Sequence, residues 1–454
     1  MLVTREKQFY QTFFRLFIVI VLQNVIVLSV NLIDNIMIGG YSETALAGVA
    51  AVNQLQFVFQ QLTIGIGDAL VVMGSQYWGQ EKTSPIKQIG KAALGVGLFS
   101  GVFLFVITGI FPEEIVGIFT DSDVIIAEGV RYLGVVRWTS LLFGISSVLI
   151  SLLRTVEIVR ISLVISITAL ITNYVFNYLL IEGNLGAPAL GAVGAAIGTL
   201  IARALELGIV LFYFAFMDKR LRVRLSDILR TDGTLIKDYF KHCRFFIIVS
   251  LMFGVSTALQ TVVLGHMNDS AIAAGSIANS LFQVLKVMSV GAASATAIII
   301  GKTIGKGDRE KLKEYVKTFQ VIFLIIGLFT GVTLFLLRTF ILSFYDLSPE
   351  TYTMANNFLL VLCFTGVGTA YEMPVITGII RGGGDSKFVF VNDLVSIWGI
   401  VLPLSFLGAF VFCWDPAIVL LCLNSDQVFK CAAAAIKANR YTWIKKLTRE
   451  EKTE

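Results

Sequence analysis

Asp34 lies in the stretch "SVNLIDNIMIGGYS", inside an apolar run that begins near Phe13 and closes at Gly39 and Gly40. Facing lipid, such a carboxylate would cost about 2.5 to 3.5 kcal/mol, so it is expected to turn toward the protein interior. Asn173 and Asn177 stand four residues apart in another apolar run and therefore share one helix face. A carboxylate with amide and hydroxyl oxygens is a donor set that suits a hard cation such as sodium, and the same carboxylate can carry a proton. The bland reading is that Asp34 caps a helix or holds Asn173.

Asp68 in "TIGIGDALVV", Lys286 in "FQVLKVMSV", Glu372 in "GTAYEMPVIT" and Asp393 in "VNDLVSIWG" are further ionisable groups in apolar surroundings. Asp68 is expected either to touch a cationic substrate or to pair with a basic residue such as Lys286. A buried pair of that kind serves specificity or gating as readily as binding. For Glu372 and Asp393, a transport role stands against simple pairing between helices. Arg203 with Glu206 (i,i+3) and Asp426 with Lys430 (i,i+4) have the spacing of structural ion pairs. Arg137 has no partner that spacing assigns. His242 and His266 have no catalytic companion, and the five cysteines lack metal-ligand spacing, so neither an enzyme nor a metal centre is expected, beyond a sodium ion at Asp34.

The elements that carry these groups follow from composition. The 454 residues are 56% hydrophobic and only 15% charged, with a mean hydropathy of +0.81. Soluble domains are about 45 to 50% apolar and 25% charged, so this is a polytopic membrane protein. At roughly 20 apolar residues per crossing, twelve spans are predicted: 13–39, 45–78, 89–112, 123–153, 159–182, 189–217, 239–265, 270–304, 313–342, 349–380, 387–411 and 415–438. The runs are continuous and do not alternate, which excludes a β-barrel. Lysines and arginines crowd the N-terminus, the even-numbered loops and the tail, while "PEEIVGIFTDSD" in an odd loop is acidic. Both termini are therefore expected in the cytoplasm. The net charge of +5 reports this orientation and gives no case for nucleic acid. The N-terminal segment lacks a small-residue cleavage site and reads as a lead into the first span.

An internal repeat organises the chain. A shift of 226 lays "ALAGVAAVNQLQFVFQQLTIGIGDALVVMGSQYWGQ" on "AIAAGSIANSLFQVLKVMSVGAASATAIIIGKTIGK" without a gap, pairing Asn53 with Asn279, Gly65 with Gly291 and Gly79 with Gly305. A shift of 227 pairs Arg154 with Arg381, which are expected to hold helix ends. An even number of spans repeats in the same orientation, giving two six-helix bundles related by an axis along the membrane normal. The expected segments are 1–217, a basic linker 218–238, 239–438, and a basic tail 439–454. Asp34 falls on Gln260 in the repeat, so the acid belongs to the N-terminal bundle alone.

"DNIMIGGYSETALAGVAAVNQL", "QYWGQEK", "LLRTVEIVRISL", "NYVFNYLLIEGNLGAPALGAVGAAIGTLIAR" and "IIRGGGDSK" resemble, in order, signatures of bacterial multidrug and toxic compound extrusion transporters of the MOP flippase superfamily. The resemblance covers nearly the whole chain. It implies an all-α protein with twelve transmembrane helices in two pseudo-symmetric bundles around a central cleft, and antiport in which proton or sodium entry drives export of amphipathic, often cationic compounds. No cofactor is implied.

The resemblance places Asp34, Asn173, Asn177 and Thr199 in a cation-coupling cluster of the N-terminal bundle. Some relatives have a second acid where this chain has Asn177, so one charge per cycle is expected. One subgroup carries sodium-site acids in the C-terminal bundle, but the seventh span here has none, which weakens such a site around Glu372 and Asp393. Substrate is expected in the cleft, against Met37, Asn53, Gln54, Gln56, Gln60, Asp68, Gln260, Asn279, Gln283 and Lys286, because amide, thioether and aromatic surfaces adapt to varied flat cations. A monomer in the bacterial inner membrane is expected. A lipid-linked oligosaccharide flippase is the alternative within the superfamily, and a receptor or scaffold the alternative outside it.

Overall fold

The computed structural model describes residues 3–120, 122–222, 233–265, 267, 269–343 and 347–449; residues 223–232 of the expected linker, His266, and 450–454 of the expected tail lie outside them. Among the described residues the regular structure is helical. Twelve helices among the described residues are long and apolar enough to cross a bilayer: α1 (Lys7–Tyr41), α2 (Glu43–Gly79), α3 (Thr83–Ile110), α4 (Asp123–Thr155), α5 (Arg160–Leu180), α6 (Ala192–Met217), α7 (Gly233–Gly265), α8 (Asp269–Lys306), α9 (Arg309–Leu342), α10 (Pro349–Ile380), α11 (Ser386–Val411) and α12 (Pro416–Arg440). The twelve-span, all-α reading holds.

Helix ends follow local chemistry. The Asp308 side chain accepts from the Lys311 amide to start α9, Ser348 accepts from Thr351 to start α10, and Asp415 accepts from Ala417 to start α12. Proline follows the last two caps, where its missing N–H leaves nothing unsatisfied. Pro374 inside α10 and Pro403 inside α11 lie in or beside wider π-type turns that absorb the lost backbone bonds. Large apolar residues such as Phe99, Phe103, Phe329 and Leu336 point outward, as lipid requires.

The described chain forms two compact units. One comprises residues 22–74 and 81–251, the other residues 1–21, 75–80 and 252–454. In the first, α3 packs on α4, α4 on α6 and α5 on α6. In the second, α9 packs on α10, α8 on α10 and α10 on α12. The repeat is visible inside both: an added methyl at Gly65 would press on the Ile247 backbone, and one at Gly291 would meet Val21. Ile247 and Val21 are themselves repeat mates at the same shift of 226.

Candidate functional site

In the unit that holds residues 22–74 and 81–251, α1, α5 and α6 converge on one polar cluster. The Asn177 side-chain amide donates to an Asp34 carboxylate oxygen at 2.5 Å and to Asn173 Oδ1 at 3.3 Å. Asn173 Nδ2 in turn donates to Thr199 Oγ1 at 3.2 Å. Asn173 and Asn177 are buried, whereas Asp34 keeps partial access. One acceptor is left over: Asn177 Oδ1 is buried without a hydrogen-bond donor. Buried acceptors without a donor are uncommon and call for a reason.

The approach of α5 to α6 explains how these groups meet. Gly183 and Gly191 take positive φ in the connection and let the chain reverse between the helices. Gly194 and Gly198 then line up four apart on α6, the small-residue spacing that brings membrane helices together. A methyl at Gly198 would collide with Asn177 Oδ1. Gly198 therefore makes room for the unsatisfied carbonyl, a role visible beforehand only as the glycine spacing in "GAVGAAIGTL".

The cluster sits beside the Arg203–Glu206 pair that the i,i+3 spacing predicts. Arg203 acts electrostatically on Asp34, and Asp34 on the buried Tyr132. Arg203 pairs with Glu206 at 2.7 Å, lies 4.6 Å over the Phe143 ring, and Glu206 accepts from Ser146 Oγ at 2.8 Å. Asp68 has its electrostatic partner in the same unit, Arg154, which also donates to Gln23 Oε1 at 2.9 Å. Arg137 stacks over Phe105 at 5.1 Å. Met37, Asn53, Gln56 and Gln60 are partly buried in this unit, and Gln54 is exposed.

The other unit gathers a separate charge cluster. Lys430 of α12 reaches Asp393 of α11 at 2.9 Å and Asp426 at 3.0 Å, with its own side chain 4% exposed. Glu372 and Lys286 lie within electrostatic reach of Lys430, and Lys286 sits 4.1 Å over the Phe253 ring. Lys286 also lines a small cavity with Phe282, Ser289, Thr330 and Thr369. Gln260 and Gln283 are partly buried in this unit, and Asn279 is exposed. Lys286 and Asp68, offered by the sequence as a pair, each have charged neighbours within their own unit. Sequence spacing gave Lys430 its partner Asp426; it did not show Asp393 as the second.

A twelve-span helical protein with an internal six-span repeat and one intramembrane carboxylate held by amides has the make-up of a secondary transporter. The MatE family model matches residues 20–179 and 245–407, and the chain belongs to that family of transporters, which are not enzymes. Among relatives, the probable multidrug resistance protein NorM of Streptococcus pneumoniae (strain ATCC BAA-255 / R6) is 26% identical over 413 residues, spanning 87% of this chain and 86% of its own. Among solved structures, a MATE protein in complex with MaL6 superposes with a TM-score of 0.86 at 16% identity, covering 94% of this chain and 95% of the other. An outward-facing multidrug resistance MATE family transporter of the MOP superfamily gives 0.84 at 17% identity, covering 97% of each.

Proposed function

We propose that this protein is a secondary active multidrug exporter in which a proton or sodium ion entering at Asp34 drives efflux of amphipathic, often cationic compounds. The observation that carries the reading is the Asp34 carboxylate held by the side-chain amide of a buried Asn177, whose own Oδ1 has no donor. Thr199 and Asn173 supply further oxygens of the type sodium takes. A proton on Asp34 is the alternative way to neutralise the same carboxylate. The name of the pneumococcal relative supports the multidrug part.

Neutralising Asp34 weakens its hold on Asn177 and alters how α1 seats against α5 and α6. If that seating differs between outward-open and inward-open arrangements, ion and drug affinities become linked through their different values in the two states. Residues 1–217 then form the coupling lobe and 239–438 its repeat mate, with the drug held among the amide and methionine side chains named above. The loop charges support cytoplasmic termini in a bacterial inner membrane, and the protein acts as a monomer. A flippase for lipid-linked oligosaccharides needs free cations for pyrophosphate, and Lys430 is already engaged by two carboxylates. A receptor or scaffold has no use for an intramembrane carboxylate held by buried amides.

Inverted vesicles test the reading. Either a proton or a sodium gradient should drive uptake of an ethidium-like dye, and Asp34→Asn should abolish it while the protein remains folded. Undiminished transport by that variant defeats the proposal.

A further inference from the structure

The last turn of α2 is tied down by the far end of the chain. α12 stops at Tyr441, whose φ of 55° reverses the backbone. The next residues then run back across the ends of other helices. Gln76 binds this segment in both directions: its Nε2 donates to the Lys445 carbonyl at 3.0 Å, and its Oε1 accepts from the Leu447 amide at 2.8 Å. Gln80 Nε2 donates to Thr448 Oγ1 at 2.8 Å, and the Arg449 amide donates to Tyr77 Oη at 3.2 Å. Gln76 and Trp443 are fully buried.

The same segment is fastened to the glycine turn after α10. The Lys445 amide donates to the Gly383 carbonyl at 2.9 Å, and Lys445 Nζ pairs with Asp385 at 2.6 Å. Lys437 takes the second Asp385 oxygen at 2.9 Å. A side chain at Gly383 would run into the Trp443 ring. Beneath the strap, α2 presses on α8: a methyl at Gly79 would strike the Lys302 carbonyl, and one at Gly305 the Gln76 carbonyl. These four residues are repeat mates, 76 with 302 and 79 with 305.

Residues 75–80 thus belong to one compact unit while residues 43–74 of the same helix belong to the other. We propose that Gln76 is a positioning residue for the transport cycle: the segment Tyr441–Arg449 is a strap that must release Gln76 for the lobes to exchange orientation. A helix shared between two bodies that rearrange has to give way at one end, and only a bond that breaks in one state biases the equilibrium. The inference rests on the alternating-access reading above.

The test uses the full chain in inside-out vesicles. With the five native cysteines replaced, Gln80→Cys and Thr448→Cys are joined by a reducible bis-methanethiosulfonate. Crosslinking should cut dye transport at least tenfold and dithiothreitol should restore it; full transport with the link formed overturns the proposal. Independently, trypsin cleavage after Lys445, Lys446 and Arg449 should rise about tenfold in Gln76→Leu, since two hydrogen bonds of ordinary net strength are lost. Cleavage of the wild type should also quicken when a gradient drives turnover, a change that a purely structural role would not produce. Cleavage rates unmoved by the substitution and by turnover overturn it. A wild type that moves no dye under either gradient sinks the exporter reading instead.

Discussion

Asn177 donates its side-chain amide to the Asp34 carboxylate across 143 residues of sequence and leaves its own buried carbonyl oxygen without a donor. On the proposed reading, the cation or proton that drives transport is taken up at this carboxylate. Hydrogen bonds to charged groups contribute about 1.5 to 3 kcal/mol. Asn177→Leu should therefore shift the gradient needed for half-maximal dye transport by about tenfold to a hundredfold. An unchanged requirement would detach Asn177 from coupling.

Gly198 is the residue that leaves room for the Asn177 carbonyl. Gly198→Ala places a methyl against Asn177 Oδ1, and overpacking of this kind costs about 1 to 3 kcal/mol. The variant should melt earlier than wild type and transport more slowly, whereas Gly208→Ala, on the same helix with open space around it, should do neither. Equal effects from both would remove the steric explanation.

Lys430 holds the charge balance of the other unit. Lys430→Met leaves Asp393 and Asp426 together without their shared cation, a loss of about 3 to 5 kcal/mol for a buried pair. Folded yield should fall sharply and should recover when Asp393→Asn and Asp426→Asn are added. Failure of the triple variant to recover would show that Lys430 does more than balance charge.

Asp385 makes the tail attachment acid-sensitive in a defined direction. Burial alone raises its carboxyl pKa, but hydrogen bonds and charge from Lys445 and Lys437 outweigh burial and hold it below the ordinary value of 3.8. A depressed folded pKa contributes stability above the unfolded value and loses it as pH falls through the folded one. Asp385→Asn should lower the melting temperature by the same amount from about pH 8 to about pH 5, and the difference should shrink only near or below about pH 4. A difference that vanished by about pH 6 would contradict the assignment.

The spans and the repeat are legible because apolar length and a fixed shift are one-dimensional signals; the shift alone aligns Gly65 with Gly291 and Gly79 with Gly305. The shared face of Asn173 and Asn177 was likewise readable from a four-residue spacing. Contacts closed by distant chain segments were not. Lys430 reaches Asp393 over 37 residues, Arg154 reaches Gln23 over 131, and Gln76 meets Lys445 over 369. The basic tail read only as an orientation signal, because its lysines and arginines hide a buried Trp443 and a run of backbone bonds that carry no residue-type signature.

The most direct measurement is ion flux driven by dye. In vesicles preloaded with dye and held at zero membrane potential, dye efflux by the wild type should pull in protons or sodium at a constant ratio, and Asp34→Asn should move neither. Dye-driven ion entry at the wild-type ratio in Asp34→Asn would contradict the central claim.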